Sequence, residues 1–219
     1  MNNPAYRVAT RQDLLGIGAV YLRAFPDSLR ELRSPELSPR AIADVAAACL
    51  IAEPECIDVA ETGQTPEDRI IGYIIAPSDT GRPGRVALRR GLPLMWVWRW
   101  ATGQYRLSLR GALALFSDKL HLREAWRLPG TSCGAAVLSL AVDPDFRGQG
   151  IGRQLLERAV SRVRGLGCDC LRLEVRPENG PARHLYEGAG FRRVGGFTDS
   201  RGSWDIMLLQ LREPEASNG

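Results

Sequence analysis

Residues 138–153 read LSLAVDPDFRGQGIGR, and no other stretch constrains the fold as strongly. The run 135–142 is almost continuously apolar, as a strand covered on both faces should be, and Asp143-Pro144 ends it. Residues 151–164 then set Ile151, Leu155, Leu156, Ala159, Val160 and Val163 on one helical face, with Arg153, Glu157, Arg158, Arg162 and Arg164 elsewhere. A buried strand turning through Gly148, Gly150 and Gly152 into an amphipathic helix belongs in an α/β fold. Such glycines let several amides face one point at a helix start, where the peptide dipoles concentrate positive charge. That arrangement suits a pyrophosphate without a metal, with Arg147 and Arg153 as supporting cations. A lone GxG also fits a bare tight turn, so the loop by itself leaves both readings open. It matches neither a P-loop, which needs Lys and Ser or Thr after GxxxxG, nor the GxGxxG of a dinucleotide site.

The remaining pattern supplies the frame. A strand is expected at 6–10, then a helix to about residue 25 that Thr10 or Asp13 can cap. A second helix starts at Ser38-Pro39 and ends before Pro54. Two β-branched runs, 57–60 and 69–76, read as a hairpin. After the glycine-loop helix come a strand at 170–176, a helix at 179–187 and strands at 191–194 and 203–211. With 219 residues and no internal repeat, the chain is expected to form one domain, 1–219.

Charge and cysteines narrow the partners. The formal net charge is +4, but residues 82–127 hold ten Arg or Lys against Asp118 and Glu124, so this segment carries +8 and the rest −4. A patch of that sign suits phosphates, an acidic membrane surface or an acidic substrate; a solvated basic face is the plainer alternative. No nucleic-acid-reading motif accompanies it, so no nucleic-acid partner is expected. The five cysteines include no CxxC pair and the chain has two histidines, so no metal site is expected. Without a secretory signal or an uninterrupted apolar span, the expected location is cytoplasmic and the thiols are expected to stay unpaired.

The run Arg147-Gly148-Gln149-Gly150-Ile151-Gly152, after LAVDP and before Leu155-Leu156, resembles motif A of the GNAT superfamily of N-acetyltransferases, Q/R-x-x-G-x-G/A. Downstream, LEVRPENGPARHLYEGAGF at 173–191 resembles the family's motif B. The resemblance is clearest over 135–194 and only topological before Pro77. It implies a mixed, mostly antiparallel central sheet flanked by helices, and acetyl-CoA as co-substrate with an amine as acceptor.

Residue by residue, the resemblance implies that Leu140, Ala141 and Val142 run beside the pantetheine arm, with the N–H of Leu140 or Val142 facing the thioester oxygen. Arg147, Gly148, Gln149, Gly150, Ile151, Gly152 and Arg153 would hold the pyrophosphate, and Asn179 the arm. Tyr186 matches the residue that protonates the leaving thiolate, and Glu174 the base that deprotonates the attacking amine. Each has a plainer alternative: Tyr186 as a packing residue, Glu174 as a strand carboxylate paired with Arg172 or Arg176, Asn179 as a helix cap. An ordered water chain is the alternative base.

The chain departs from the family pattern between the third and fourth strands, where residues 78–133 form a helical, basic insertion holding Trp96, Trp98, Trp100, Tyr105 and Trp126. It reads as a peripheral membrane contact, a lid over the acceptor, or a helical subdomain packed on the core. A small-molecule amine is the favoured acceptor, because such an insertion would obstruct a peptide groove. The alternatives are a protein N-terminal acetyltransferase of the ribosomal-protein type and a non-catalytic acyl-CoA sensor. A homodimer is an expectation by family analogy alone.

Overall fold

The computed structural model describes residues 3–27, 36–63, 70–108, 133–199 and 202–212. β1 (Ala5–Val8) leads through a 3-10 turn (Arg11–Asp13) into α1 (Leu14–Ala24). Thr10 donates its N–H and hydroxyl to the Asp13 carboxylate, so both residues named as capping candidates take part. α2 (Pro39–Ala52) starts as expected, with the Ser38 hydroxyl accepting the Arg40 N–H. The two helices cross so closely at Gly18 that a Cβ there would lie 2.2 Å from the Pro39 carbonyl oxygen.

β2 (Ile57–Glu61) and β3 (Ile70–Ile75) form the expected antiparallel pair and are buried on both faces. The insertion begins with α3 (Arg82–Arg89) and α4 (Leu92–Ala101), separated at Gly91, whose φ of +67° breaks the helix. Asp44 of α2 accepts hydrogen bonds from Arg99 and the Tyr105 hydroxyl, and Ser38 N–H donates to the Tyr105 carbonyl. At the insertion's start, Ser78 donates to Glu53, which also pairs with Arg162. The described part of the insertion is thus fastened to the body along α2. Trp126 and Arg110 lie outside the described residues.

The long apolar run at 135–142 is two strands rather than one. β4 (Ala136–Val137) pairs in parallel with β6 (Cys170–Val175), whereas β5 (Ser139–Val142) pairs antiparallel with β3. Leu138 N–H donates to Ile75 O although Ser139 is registered opposite Ile75, so the chain bulges there and Leu138 is exposed. The expected single central sheet is therefore two four-stranded sheets, ordered β1-β2-β3-β5 and, with β7 at Arg192–Asp199 and β8 at Gly202–Gln210, β4-β6-β8-β7.

α5 (Ile151–Gly165) underlies both sheets with Ile151, Leu155, Leu156, Ala159 and Val163 in the main core. α6 (Gly180–Gly188) packs on the same side through Tyr186, while α1 and α2 cover the other face of the first sheet through Ile17, Val20, Ala46 and Cys49. β7 and β8 close the second sheet. β7 runs beyond the expected end at 194 because the ladder only shifts register between Arg193 and Gly195, where Val194 has no partner in the ladder, and then continues through Gly195 and Gly196.

Two cysteines depart from expectation. Cys133 and Cys170 form a disulfide, with Cα atoms 5.7 Å apart, which ties the end of the insertion to β6. Cys49 and Cys56 are buried thiols and Cys168 is half-buried. Among the described residues, no helix is long and apolar enough to cross a membrane.

Candidate active site

The site lies where the sheets part. Asp143 N–H donates to Ile71 O at 2.9 Å, which makes residues 71 and 143 a hydrogen-bonded pair. By the alternation of an antiparallel ladder, 73/141 and 75/139 are bonded pairs as well. The N–H and C=O groups of Leu140 and Val142 consequently point away from β3, along the edge that β6 has left; those of Ala141 point into the sheet. Val142 O accepts a hydrogen bond from Arg147 Nε at 3.3 Å.

Beyond β5, Asp143 accepts the Asp145 N–H and pairs with Arg23 of α1, which fixes the turn. Gly148 and Gly150 take φ of +77° and +78°, the left-handed region that favours glycine, and Gly150 is the N-cap of α5. From Gly148 to Arg153 no backbone N–H donates to another described residue. A Cβ at Gly148 or Gly150 would meet nothing within 4 Å, so this row of donors opens to solvent. Gly152 has an ordinary helical φ and lies against Val142 and Leu185, bringing β5, α5 and α6 together. Together, the open donors and the helix start make an anion cradle.

The two arginines expected to assist are occupied otherwise. Arg147 donates to Val142 O and Ala24 O, bracing the loop against the end of α1. Arg153 is exposed and pairs with Glu157 one turn on. Arg153 and Glu157 also line a groove of about 510 Å³ between α5 and α6, with Val160, Arg164, His184 and Gly188, which sequence reasoning did not anticipate.

Asn179 caps α6 through Oδ1, which accepts the Ala182 N–H at 3.2 Å; its exposed side chain retains the Nδ2 donors. Tyr186, 8% exposed, packs against Phe191 with ring centroids 5.9 Å apart and the rings tilted by 58°. Burial pushes its pKa up to about 12, so at neutral pH the phenol holds its proton.

Glu174 projects from the opposite face of β6, since Leu171, Leu173 and Val175 fill the core beside Tyr186. The same face carries Arg172, Arg176, Trp204, Ile206 and Leu208 by strand alternation and pairing. Burial pushes the Arg172 pKa down, and the charge of Glu174 opposes that shift. The Arg176 guanidinium lies 4.2 Å over the Trp204 ring, which in turn stacks on Phe197. These aromatic neighbours of Glu174 were missed from sequence; the alternation of residues 203–211 was the signal that could have placed Trp204 on this face.

A family model described as the acetyltransferase (GNAT) family matches residues 21–191. The ribosomal protein bS18-alanine N-acetyltransferase of Escherichia coli strain K12 is 40% identical over 83 residues, 35% of this chain and 56% of that protein. Mycothiol acetyltransferase of Propionibacterium freudenreichii is 46% identical over 58 residues, 26% of this chain and 19% of that protein. The chain thus matches little more than half the length of the first of these relatives. The crystal structure of SsHAT superposes with a TM-score of 0.69 at 22% identity, covering 96% of this chain and 100% of the other. The E. coli ribosomal-protein-S18-alanine N-acetyltransferase gives 0.54 at 17% identity, with 98% of each chain covered. At these identities the superpositions establish the fold alone.

Proposed function

This chain belongs to the GNAT acetyltransferase family, and on that premise we propose that it is an N-acetyltransferase that carries an acetyl group from acetyl-CoA to a primary amine. The observation that carries the proposal is the backbone edge of Leu140 and Val142, whose N–H groups turn away from β3, leading into the open N–H row from Gly148 to Arg153. An extended amide-containing arm fits such an edge by strand-like pairing, and a pyrophosphate fits the N–H row. The donor set therefore fits acetyl-CoA, which when bound supplies the activated acetyl thioester.

Within that frame Gly148, Gln149, Gly150, Ile151 and Gly152 hold the pyrophosphate through backbone N–H groups, while Arg147 keeps the loop in shape. Leu140 and Val142 hold the arm, Ala141 keeps their strand on β3, and the Asn179 amide donates from the opposite wall. The N–H of Leu140 or Val142 meets the negative charge that develops on the thioester oxygen. Arg153 and the groove between α5 and α6 receive the distal end of the ligand.

The acid and base lie on opposite faces of the second sheet, so separate groups serve the incoming amine and the leaving thiolate of the tetrahedral intermediate. Tyr186, on the α6 side, keeps its proton until a thiolate leaves and then donates it. Glu174, on the other face beside Trp204 and Arg176, takes the proton of the incoming ammonium.

The acceptor is a small-molecule amine, a reading supported by the length of the insertion at 78–133, whose described part is fastened along α2. A second reading, a protein N-terminal acetyltransferase, draws support from Glu174, Asn179 and Tyr186 occurring together and from the 40% identity to a ribosomal-protein enzyme. Steady-state release of free CoA from acetyl-CoA, assayed against a panel of small amines and against peptides with N-terminal alanine, separates the two. Tyr186→Phe is expected to lower kcat about a hundredfold with the acetyl-CoA KM unchanged. No turnover with any amine, alongside intact acetyl-CoA binding, would instead mark a non-catalytic sensor.

A further inference from the structure

From Thr80 to Ser117 the sequence contains no acidic residue and seven arginines. Six of them, Arg82, Arg85, Arg89, Arg90, Arg99 and Arg106, are among the described residues. Arg99 is drawn inward to Asp44 and Arg85 pairs with Asp79, while Arg82, Arg89 and Arg90 are exposed on and just after α3.

The same element pair carries large apolar side chains in water. Leu94, Val97 and Trp98 are 78%, 62% and 60% exposed, and Leu88, at the end of α3, is 73% exposed. Spacing of three and four residues puts Leu94, Val97 and Trp98 on one side of α4. Its other side is anchored, through Arg99 to Asp44 and through Trp100 Nε1 to Leu107 O. The apolar stripe is therefore not a helix awaiting its place in the core; the helix is already seated, and the stripe faces out.

We propose that this α3–α4 face docks on a bilayer surface rich in anionic lipid. Leucine, valine and tryptophan on one helix face, beside an acid-free arginine cluster, match what the headgroup boundary rewards: apolar insertion, an amphipathic indole at the interface, and cations near anionic headgroups. α4 has ten residues, about 15 Å, half the thickness of a hydrocarbon core, so it lies in the interface rather than crossing it. A second copy of the chain is a poor occupant, because an isologous contact would bring two acid-free arginine clusters together. This inference does not rest on acetyl transfer, and a substitution in the anion cradle such as Gly150→Glu is expected to leave it untouched.

Co-sedimentation tests it, using vesicles of phosphatidylcholine alone and vesicles with phosphatidylglycerol added, at low and high salt. The full chain is expected to pellet with the anionic vesicles at low salt and to stay in solution with the neutral ones. Arg89→Ala/Arg90→Ala is expected to lower partitioning about thirtyfold, at about fivefold per arginine. Leu94→Ser/Trp98→Ser is expected to abolish it. Both variants should keep the wild-type circular dichroism and Tm, since all four side chains are exposed. Absence of binding to anionic vesicles, or wild-type partitioning by both variants, overturns the proposal. So does concentration-dependent dimerisation that Leu94→Ser/Trp98→Ser removes, which would make a second copy the occupant.

Discussion

Asp13 shows how one carboxylate can hold the N-terminal elements together. Burial pushes its pKa up, but hydrogen bonds from Arg7 and from Thr10 outweigh that and hold it at about 2. Arg7 also bonds Glu61, so β1, the start of α1 and β2 share this ionic network. Because the folded pKa is depressed, the stabilisation is complete above the ordinary carboxylate pKa and is lost as pH falls through about 2. Asp13→Asn should therefore lower stability by about 2 kcal/mol near pH 7 and by progressively less on acidification; urea unfolding from pH 7 down to about pH 2 measures it. At this scale the glycine loop was fully legible, because only glycine readily takes the positive φ of Gly148 and Gly150. The occupations of Arg147 and Arg153 were not, since Ala24 O is brought to Arg147 only by the packing of α1.

The contact between α1 and α2 makes an element-scale prediction. A Cβ at Gly18 would lie 2.2 Å from Pro39 O and 2.9 Å from Pro39 C, both backbone atoms that cannot rotate away. Gly18→Ala should cost about 3 kcal/mol, whereas Gly84→Ala, in α3 with open space around the new methyl, should gain about 0.5 kcal/mol. Thermal unfolding of the two variants gives the contrast. Most elements were legible from periodicity: α5 from its apolar stripe, α2 from its Ser-Pro start, the hairpin from its β-branched runs. The division of residues 135–142 into β4 and β5 was not. Both halves are equally apolar, and what divides them is pairing with strands far away in sequence, β6 for one and β3 for the other. The bulge at Leu138 opens the cleft, so the feature hardest to read from local sequence is the one that makes the site. The strand expected at 191–194 continues to Asp199 for a related reason: its pairing with β8, not its local composition, carries it through Gly195 and Gly196.

For the whole molecule, composition was informative about what the surface carries and silent about how the insertion is held. The acid-free stretch was visible in the sequence; its fastening to α2 through Asp44, and to β6 through Cys133 and Cys170, depended on long-range contacts. The disulfide makes a direct prediction: denatured protein prepared without reductant should show three reactive thiols, Cys49, Cys56 and Cys168, and all five only after reduction. Disulfides are rare in reducing compartments, so that count also bears on the expected cytoplasmic location. The central claim, that the parted strands and the N–H row form an acetyl-CoA site, is tested most directly by calorimetric titration of wild type and Gly150→Glu with acetyl-CoA. The substitution puts a carboxylate at the mouth of the cradle and a side chain at a φ of +78°, with no core contact disturbed. Binding in the micromolar range by wild type, lost in a variant whose circular dichroism is unchanged and whose Tm falls only by the local strain of that φ, is the predicted result. A well-folded wild type that does not bind, or a variant that binds equally well, would contradict it.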